Sequence, residues 1–331
     1  MKTSRFWLYA PWTVFLIIVA CWLGYWFVLT NCATKRVNDF VAAQQAAGAD
    51  MHIGAIKTHG FPVLLRLELD DVAYTPRARN WRASTARMDL NVNVLNPSHV
   101  ILQQRAPIAL DRGEEHTDIT SQAALMSIRM KGATLAEARL ESDALSLTDR
   151  GRDGAVTVQK LIAAIRPDPR NANDYQLALQ ATALHLARPV RTFEQFGQDV
   201  AVANAAIVIE HPMSLLEPSD PLEHWRAAGG QARLEGLTLN WGPLEANAQG
   251  NVTLDAAHRL QGALEAALPR PAPALNALAQ SPSLTYQQKN ALSVFAIGLG
   301  FSHRDVHVHL KAENGLLTLE NVPVRALAAV Y

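Results

Sequence analysis

The sequence predicts a mostly β (α+β) protein: an N-terminal transmembrane helix followed by a large curved antiparallel sheet with a few helices on one face. Three observations carry this expectation. Residues Phe6–Leu29 hold no charged side chain. From Met51 onward, apolar and polar residues alternate with a period of two in many short runs. Most runs are joined by short turns, which is how antiparallel neighbours are connected.

The apolar segment "FWLYAPWTVFLIIVACWLGYWFVL" comes first. As a helix rising ~1.5 Å per residue it reaches roughly 36 Å, enough for a hydrocarbon core of about 30 Å with some tilt. Trp7, Tyr9 and Trp12 stand at one end and Trp22, Tyr25, Trp26 and Phe27 towards the other, as aromatic belts do at the two headgroup levels. A cleaved signal peptide has a shorter apolar region, about 7–15 residues, so a retained anchor is expected. Ile18–Cys21, "IVAC", has the shape of a lipoprotein cleavage site, yet "CWLGYWFVL" after it is as apolar as what precedes it. Cys32, with Asn31 before it, is placed worse.

Lys2 and Arg5 face Lys35 and Arg36 across the span, so the charge bias is nearly balanced. A span this close to the N-terminus most often leaves its short leader in the cytoplasm, which puts the body on the far side. Cys21 and Cys32 are the only cysteines, so no disulfide framework is expected in the body.

The elements follow in order. Residues 1–32 read as the anchor and 33–50 as a membrane-exit helix, with Val37, Phe40, Val41 and Gln44 at helical spacing and Gly48 as its stop. Residues 51–331 read as a single antiparallel β-rich domain. Phe61, Val63, Leu65, Leu67 and Leu69 alternate with Leu64, Arg66, Glu68 and Asp70; a bulge at Asp70-Asp71 then shifts Val72 and Tyr74 to the other parity. A further strand runs through Met88–Val94, a turn is expected at "NPSH" (Asn96–His99), and Val100 opens the return strand. Later runs are Ala136–Leu140, Leu145–Leu147, Tyr175–Ala183, Ala201–Ile209, Leu237–Trp241, Leu244–Leu254, Leu260–Leu268 and Val306–Leu310. Asp220-Pro221 with Glu223 reads as a capped helix start, and Gly229-Gly230 as its end. A proline-punctuated stretch then leads to a second helical patch around Leu284–Leu299.

Several function classes fall away on composition and motif. Lys plus Arg and Asp plus Glu number 30 each, with no long run of like charge, so the positive field of a nucleic-acid binder is missing. No G-x-S-x-G elbow, H-E-x-x-H pair, Walker loop or G-x-G-x-x-G turn occurs. No catalytic residue and no cofactor is therefore assigned. The one metal-like run is "SHRDVHVHLK": on a strand, His303, Asp305, His307 and His309 share a face, but no second cluster completes a site and a solvated strand face is the simpler reading. His59 and His99 sit at a strand start and a turn, where satisfying local backbone groups is the expected role.

"LGYWFV" at Leu23–Val28, "HGFPVLLRLEL" at His59–Leu69 and "NWRASTARMDLNVNVLNPSHVIL" at Asn80–Leu102 resemble the bacterial single-pass family catalogued as domain of unknown function 2125. The likeness continues loosely through Leu239–Leu264. It implies an inner-membrane anchor with a periplasmic body of unknown activity. The C-terminal strand pairs are also similar, in pattern alone, to AsmA-like envelope proteins, whose sheets curl into a lipid-holding groove.

That leaves one apolar face. Leu237, Leu239, Trp241, Leu244, Ala246, Val252, Leu254, Leu260, Leu264 and Leu268 share it, while Glu245, Asn247, Gln249, Asn251 and Thr253 form the other. A face this long does not stay in water. Helices cover it, with small residues such as Ala246, Ala248, Gly250 and Gly262 letting them pack closely, or part of it is a groove that takes an acyl chain. Three classes stay open: a lipid-binding or lipid-passing envelope protein, a scaffolding envelope protein with a closed core, and a periplasmic hydrolase. The expected partners are the membrane and lipid; protein partners are not legible.

Overall fold

The computed structural model describes residues 6–61, 64–77, 80–132, 134–216, 220–282, 286–300, 305–319 and 322–330. The protein is mostly β, and every pairing described below is antiparallel. It divides into two compact units, Met1–Thr120 with Leu125–Gly132 and Ser121–Ala124 with Ala133–Tyr331.

The first unit begins with α1 (Phe6–Ala46), one continuous helix of 41 residues. Neither Gly nor Pro interrupts it where the apolar run gives way to Asn31, Lys35 and Arg36. From Trp12 onward it is long and apolar enough to cross a membrane, with a mean hydropathy of 2.1 in its apolar window. Gly48, at φ 88°, ends the turn that follows, a conformation glycine takes without strain. The chain then reverses into β1 (Asp50–His59) and β2 (Leu64–Thr75), which pair from Asp50 opposite Thr75 to His59 opposite Arg66.

β3 (Arg82–Asn93) pairs with β2, setting Leu65 opposite Val92, Leu67 opposite Leu90 and Leu69 opposite Met88. Leu65, Leu67 and Val94 are wholly buried. Trp22, Trp26, Leu29, Ala33 and Val37, a stripe along the middle of α1, cover them. Each fully buried leucine contributes about 1.5–3 kcal/mol, so this stripe is what fixes the helix to the sheet. β4 (Asn96–Gln104) pairs with the end of β3, and β5 (Ile108–Arg112) with its start. β6 (Glu115–Thr120) closes a hairpin with β5, and Leu125–Arg129 of β7 (Ala123–Lys131) pairs with β4.

Two local expectations are corrected here. The turn lies at Val94-Leu95, and β4 already begins at Asn96, so "NPSH" is strand rather than turn. The change of parity after Leu69 is real but carries no inserted residue: the register runs unshifted from Asp70 opposite Arg87 to Val72 opposite Thr85. Asp71 adopts φ 53° instead, which rotates the strand so that Val72 also packs on the core. Gly54 accommodates this, since a Cβ there would come within 3.1 Å of the Asp71 Cβ.

The second unit is a run of neighbouring strands: β8 (Thr134–Asp149), β9 (Ala155–Pro167), β10 (Tyr175–His185), β11 (Asp199–Ile209), β12 (Ala232–Trp241), β13 (Leu244–Leu254), β14 (Leu260–Leu268), β15 (Val306–Glu313), β16 (Leu316–Leu319) and β17 (Val322–Ala326), each paired with the next. The Asp71 device recurs: Ala144 in β8 and Ala183 in β10 have φ 48° and 49°. Both flank Gln159 of β9, because Asp143 and Thr182 each face Lys160 while Leu145 and Leu184 each face Val158. The two kinks thus lie in one row across three strands, and the apolar parity switches there on all three.

Helices are few. α2 (Pro221–Ala227) is capped by the Asp220 carboxylate, which accepts from the Glu223 amide at 3.3 Å. Its buried Trp225 donates its indole N–H to the Glu210 carbonyl at 2.7 Å. α3 (Pro271–Ala279) arises inside the proline-punctuated stretch, with Pro271 in its first turn. It lies against β13 and a 3-10 turn at Arg191–Phe196, and packs on α4 (Tyr286–Gly300).

Candidate functional site

The strand registers bring the ten apolar candidates onto one face. Leu239 stands opposite Ala246 and Trp241 opposite Leu244. Leu254 faces Leu260, and Val252 faces Gly262, between Leu260 and Leu264 on the same strand. Leu264 and Leu268 then meet Leu310 and Val306. A bulge between Leu234 and Leu237 lets β12 keep its leucines on this face despite the odd spacing. In the other direction the face continues through Ala205 and Ile207 of β11, Leu177 and Leu179 of β10, Ala163 and Ile165 of β9, and Ala138 and Leu140 of β8.

Cover over this face is uneven. Leu254 is buried, at 8% exposure, whereas Leu260 opposite it is 42% exposed. Leu237, Leu239, Trp241, Leu244, Ala246, Val252, Leu264 and Leu268 are half-buried. At the Trp241 end an aromatic cluster sits on the strand: the indole ring meets Phe196 edge-on at 5.4 Å and Phe193 at 5.7 Å, and its N–H donates to the Gly197 carbonyl at 3.0 Å. Farther along, Leu179 is 40% exposed.

Gly250 and Gly262 do something the sequence reading missed. Their φ values are 155° and 152°, and a Cβ on either would run into a carbonyl oxygen of the neighbouring strand, Ala263 for Gly250 and Asn251 for Gly262. These glycines allow two backbones to approach, and no helix needs to pack on them to explain their identity.

The opposite face is polar, and hollows open among these strands. One, of about 950 Å³, is lined by Arg233, Glu235, Gln249, Asn251, Glu265, His309 and Lys311, among others. Its charges are closely matched. Asp168, buried, accepts from the Arg170 backbone N–H at 3.1 Å and from its guanidinium. These contacts, with Arg233 nearby, hold its carboxyl below the usual carboxylate range against the opposing effect of burial. Arg170 also pairs with Glu235, and that contact and Asp168 raise the guanidinium's affinity for its proton. Arg233 donates to Glu210 at 3.0 Å. Such a network consumes its own charge and leaves no free cation on these partners to recruit an anion. The hollow thus draws its lining from both parities, with Leu234, Gly250, Leu310 and the candidate Leu264 beside the polar residues.

The histidine run divides. His303 lies outside the described residues. Asp305, His307 and His309 are exposed, and His307 Nδ1 stands 3.3 Å from Glu265. Among the described residues, no three His, Cys, Asp or Glu side chains are grouped to hold a metal ion. His99 pairs with the Ser127 hydroxyl at 2.8 Å and His59 lies 3.8 Å from Glu68, so among the described residues each stands beside a side-chain partner.

These features define a class: an antiparallel β protein with an amphipathic sheet face and an N-terminal candidate membrane helix. The chain belongs to the family described as an uncharacterized protein conserved in bacteria (DUF2125), whose model matches residues 26–327. No curated protein and no solved structure matches it.

Proposed function

We propose that this is an inner-membrane protein of the bacterial envelope, anchored by α1 with its body in the periplasm, and that the apolar face of β12–β14 contacts lipid. The observation that carries the reading is the incomplete cover of that face. Nine of the ten candidates retain solvent exposure and only Leu254 is buried, although the face is apolar along its whole length. Apolar surface left open in this way is a binding surface, and a membrane tether keeps it close to a source of acyl chains. An acyl chain gains about 0.8 kcal/mol per buried methylene, so an open strip a few strands wide suffices without an enclosed pocket.

Photo-crosslinkers at Ala246, Val252 and Leu264 in cells should label lipid, while those at the exposed Asn247 and Gln261 should not. Crosslinks from every inward position to the protein's own helices alone would show a closed core and favour a scaffold. A reporter active only outside the cytoplasm, fused after Tyr331, should be active; cytoplasmic activity would overturn the orientation.

A further inference from the structure

The first unit does not simply hang from its anchor: its sheet returns to the level of the membrane. α1 is continuous, and from Trp26 to Ala46 it climbs roughly 30 Å. β1 then descends over ten residues, roughly 33 Å, antiparallel to that climb. The loop after His59 thus arrives back beside Trp26, where Phe61 meets the Trp26 ring edge-on at 5.5 Å. The turn between β3 and β4 reaches the same level, because Leu64 stands opposite Asn93, and the Tyr25 hydroxyl donates to the Val94 carbonyl at 2.9 Å.

Tyr25 and Trp26 belong to the apolar run. Phe27 and Val28 beside them are 64% and 65% exposed, and the first polar side chain on the helix surface beyond them is Asn31. Trp26 lies about 8 Å below Asn31 along the helix axis. Whatever touches Tyr25 and Trp26 therefore sits at the boundary of headgroups and acyl chains. At that level the two tips present Phe61, Leu64 and Leu95, which are 51%, 38% and 72% exposed. Polar groups beside Leu95 are paired locally: its amide donates to Asn93 Oδ1 at 2.9 Å, and at the start of β4 Ser98 donates to Asn96 Oδ1 at 2.6 Å.

We infer that the β1–β2 and β3–β4 tips are a second membrane contact, with Phe61, Leu64 and Leu95 inserted at the headgroup–acyl boundary around α1. The occupant of this apolar patch is the bilayer, since the patch is continuous with the exposed apolar surface of α1, and the Val94-Leu95 turn that carries part of it accepts a hydrogen bond from Tyr25 of that helix. Burial of apolar area at that depth is the usual basis of interfacial anchoring. The inference rests on α1 spanning the membrane and adds a fixed depth and orientation for the first unit.

The test uses the full chain with Cys21 and Cys32 replaced by alanine, reconstituted in nanodiscs of phosphatidylethanolamine and phosphatidylglycerol. A nitroxide is attached in turn at Phe61→Cys, Leu95→Cys, Val14→Cys and Glu114→Cys, all exposed positions; Phe61→Cys gives up the ring contact with Trp26, so Leu95→Cys reads the depth with that contact intact. The ratio of oxygen to water-soluble nickel-chelate accessibility should be several-fold higher at Phe61 and Leu95 than at Glu114, which lies in the β5–β6 turn paired with the other end of β3. Val14, in the span, should be lipid-embedded. A ratio at Phe61 and Leu95 equal to that at Glu114, with Val14 in lipid, overturns the tip insertion and leaves the anchor standing. Aqueous values at all four positions overturn both.

Discussion

Leu254 and Leu260 face one another across β13 and β14, yet one is 8% exposed and the other 42%, so the same substitution at each separates burial from strand position. Leu254→Asp forfeits nearly the whole value of a buried leucine, about 1.5–3 kcal/mol, and adds at least about 2 kcal/mol for an unpaired carboxylate, giving about 4 kcal/mol or more. Leu260→Asp forfeits little more than half the apolar part, about 1–1.5 kcal/mol, and its carboxylate reaches water. The exposed Gln261, one residue on, should tolerate Asp within about 0.5 kcal/mol. With urea slopes of about 1–3 kcal/mol per molar, the two leucine variants should melt about 1 M or more apart. The measurement is urea unfolding of the full chain in detergent, followed by tryptophan emission, which reports on the buried Trp225 in the same unit. Equal losses at Leu254 and Leu260 would refute the uneven cover on which the lipid reading depends. A loss at Gln261 as large as at Leu254 would refute the strand register.

Two further outcomes follow from the kinks and the ion pairs. Ala183→Val, a β-branched residue at φ 49°, should cost about 1–2 kcal/mol, whereas Ala183→Gly should be neutral or stabilising, so urea midpoints should order Gly at or above the wild type and Val below it. Asp168 has a depressed pKa in the folded chain, so its contribution is present above the ordinary carboxylate range and is lost as pH falls through and below about 4. Thermal melts between about pH 3 and 7 should therefore show a flatter acid limb for Asp168→Asn than for the wild type.

Much of the β architecture was legible because an amphipathic strand needs only a period of two, and Leu65, Leu67 and Leu69 or Leu260, Leu264 and Leu268 supply it plainly. The helix after Asp220 was legible because its cap and first-turn proline are local chemistry. α3 was hidden because Pro271 and Pro273 read as breakers, although a first turn tolerates proline for want of a hydrogen-bond partner there. The aligned kinks at Ala144 and Ala183 carry no turn signal, since alanine is not a residue that favours positive φ; only pairing to a common strand shows them as one row. The polar hollow was equally invisible, because Arg170 and Glu235 are 65 positions apart. For the candidate face, alternation reveals which side chains point together but not how much covers them, which depends on where α3 and the 3-10 turn come to rest.

The helix that is long and apolar enough to cross a bilayer is also a wall of the first unit's core, and this imposes an order on folding. A chain made from its N-terminus presents Trp22, Trp26, Leu29, Ala33 and Val37 well before β2 and β3 exist to cover them. The bond from Tyr25 to Val94 spans 69 residues, so the stripe stays unsheltered until that much more polypeptide has emerged. A newly made helix waiting in this state offers an apolar edge to any chaperone or neighbouring helix, and the folding of β2 and β3 onto it is the event that withdraws the offer.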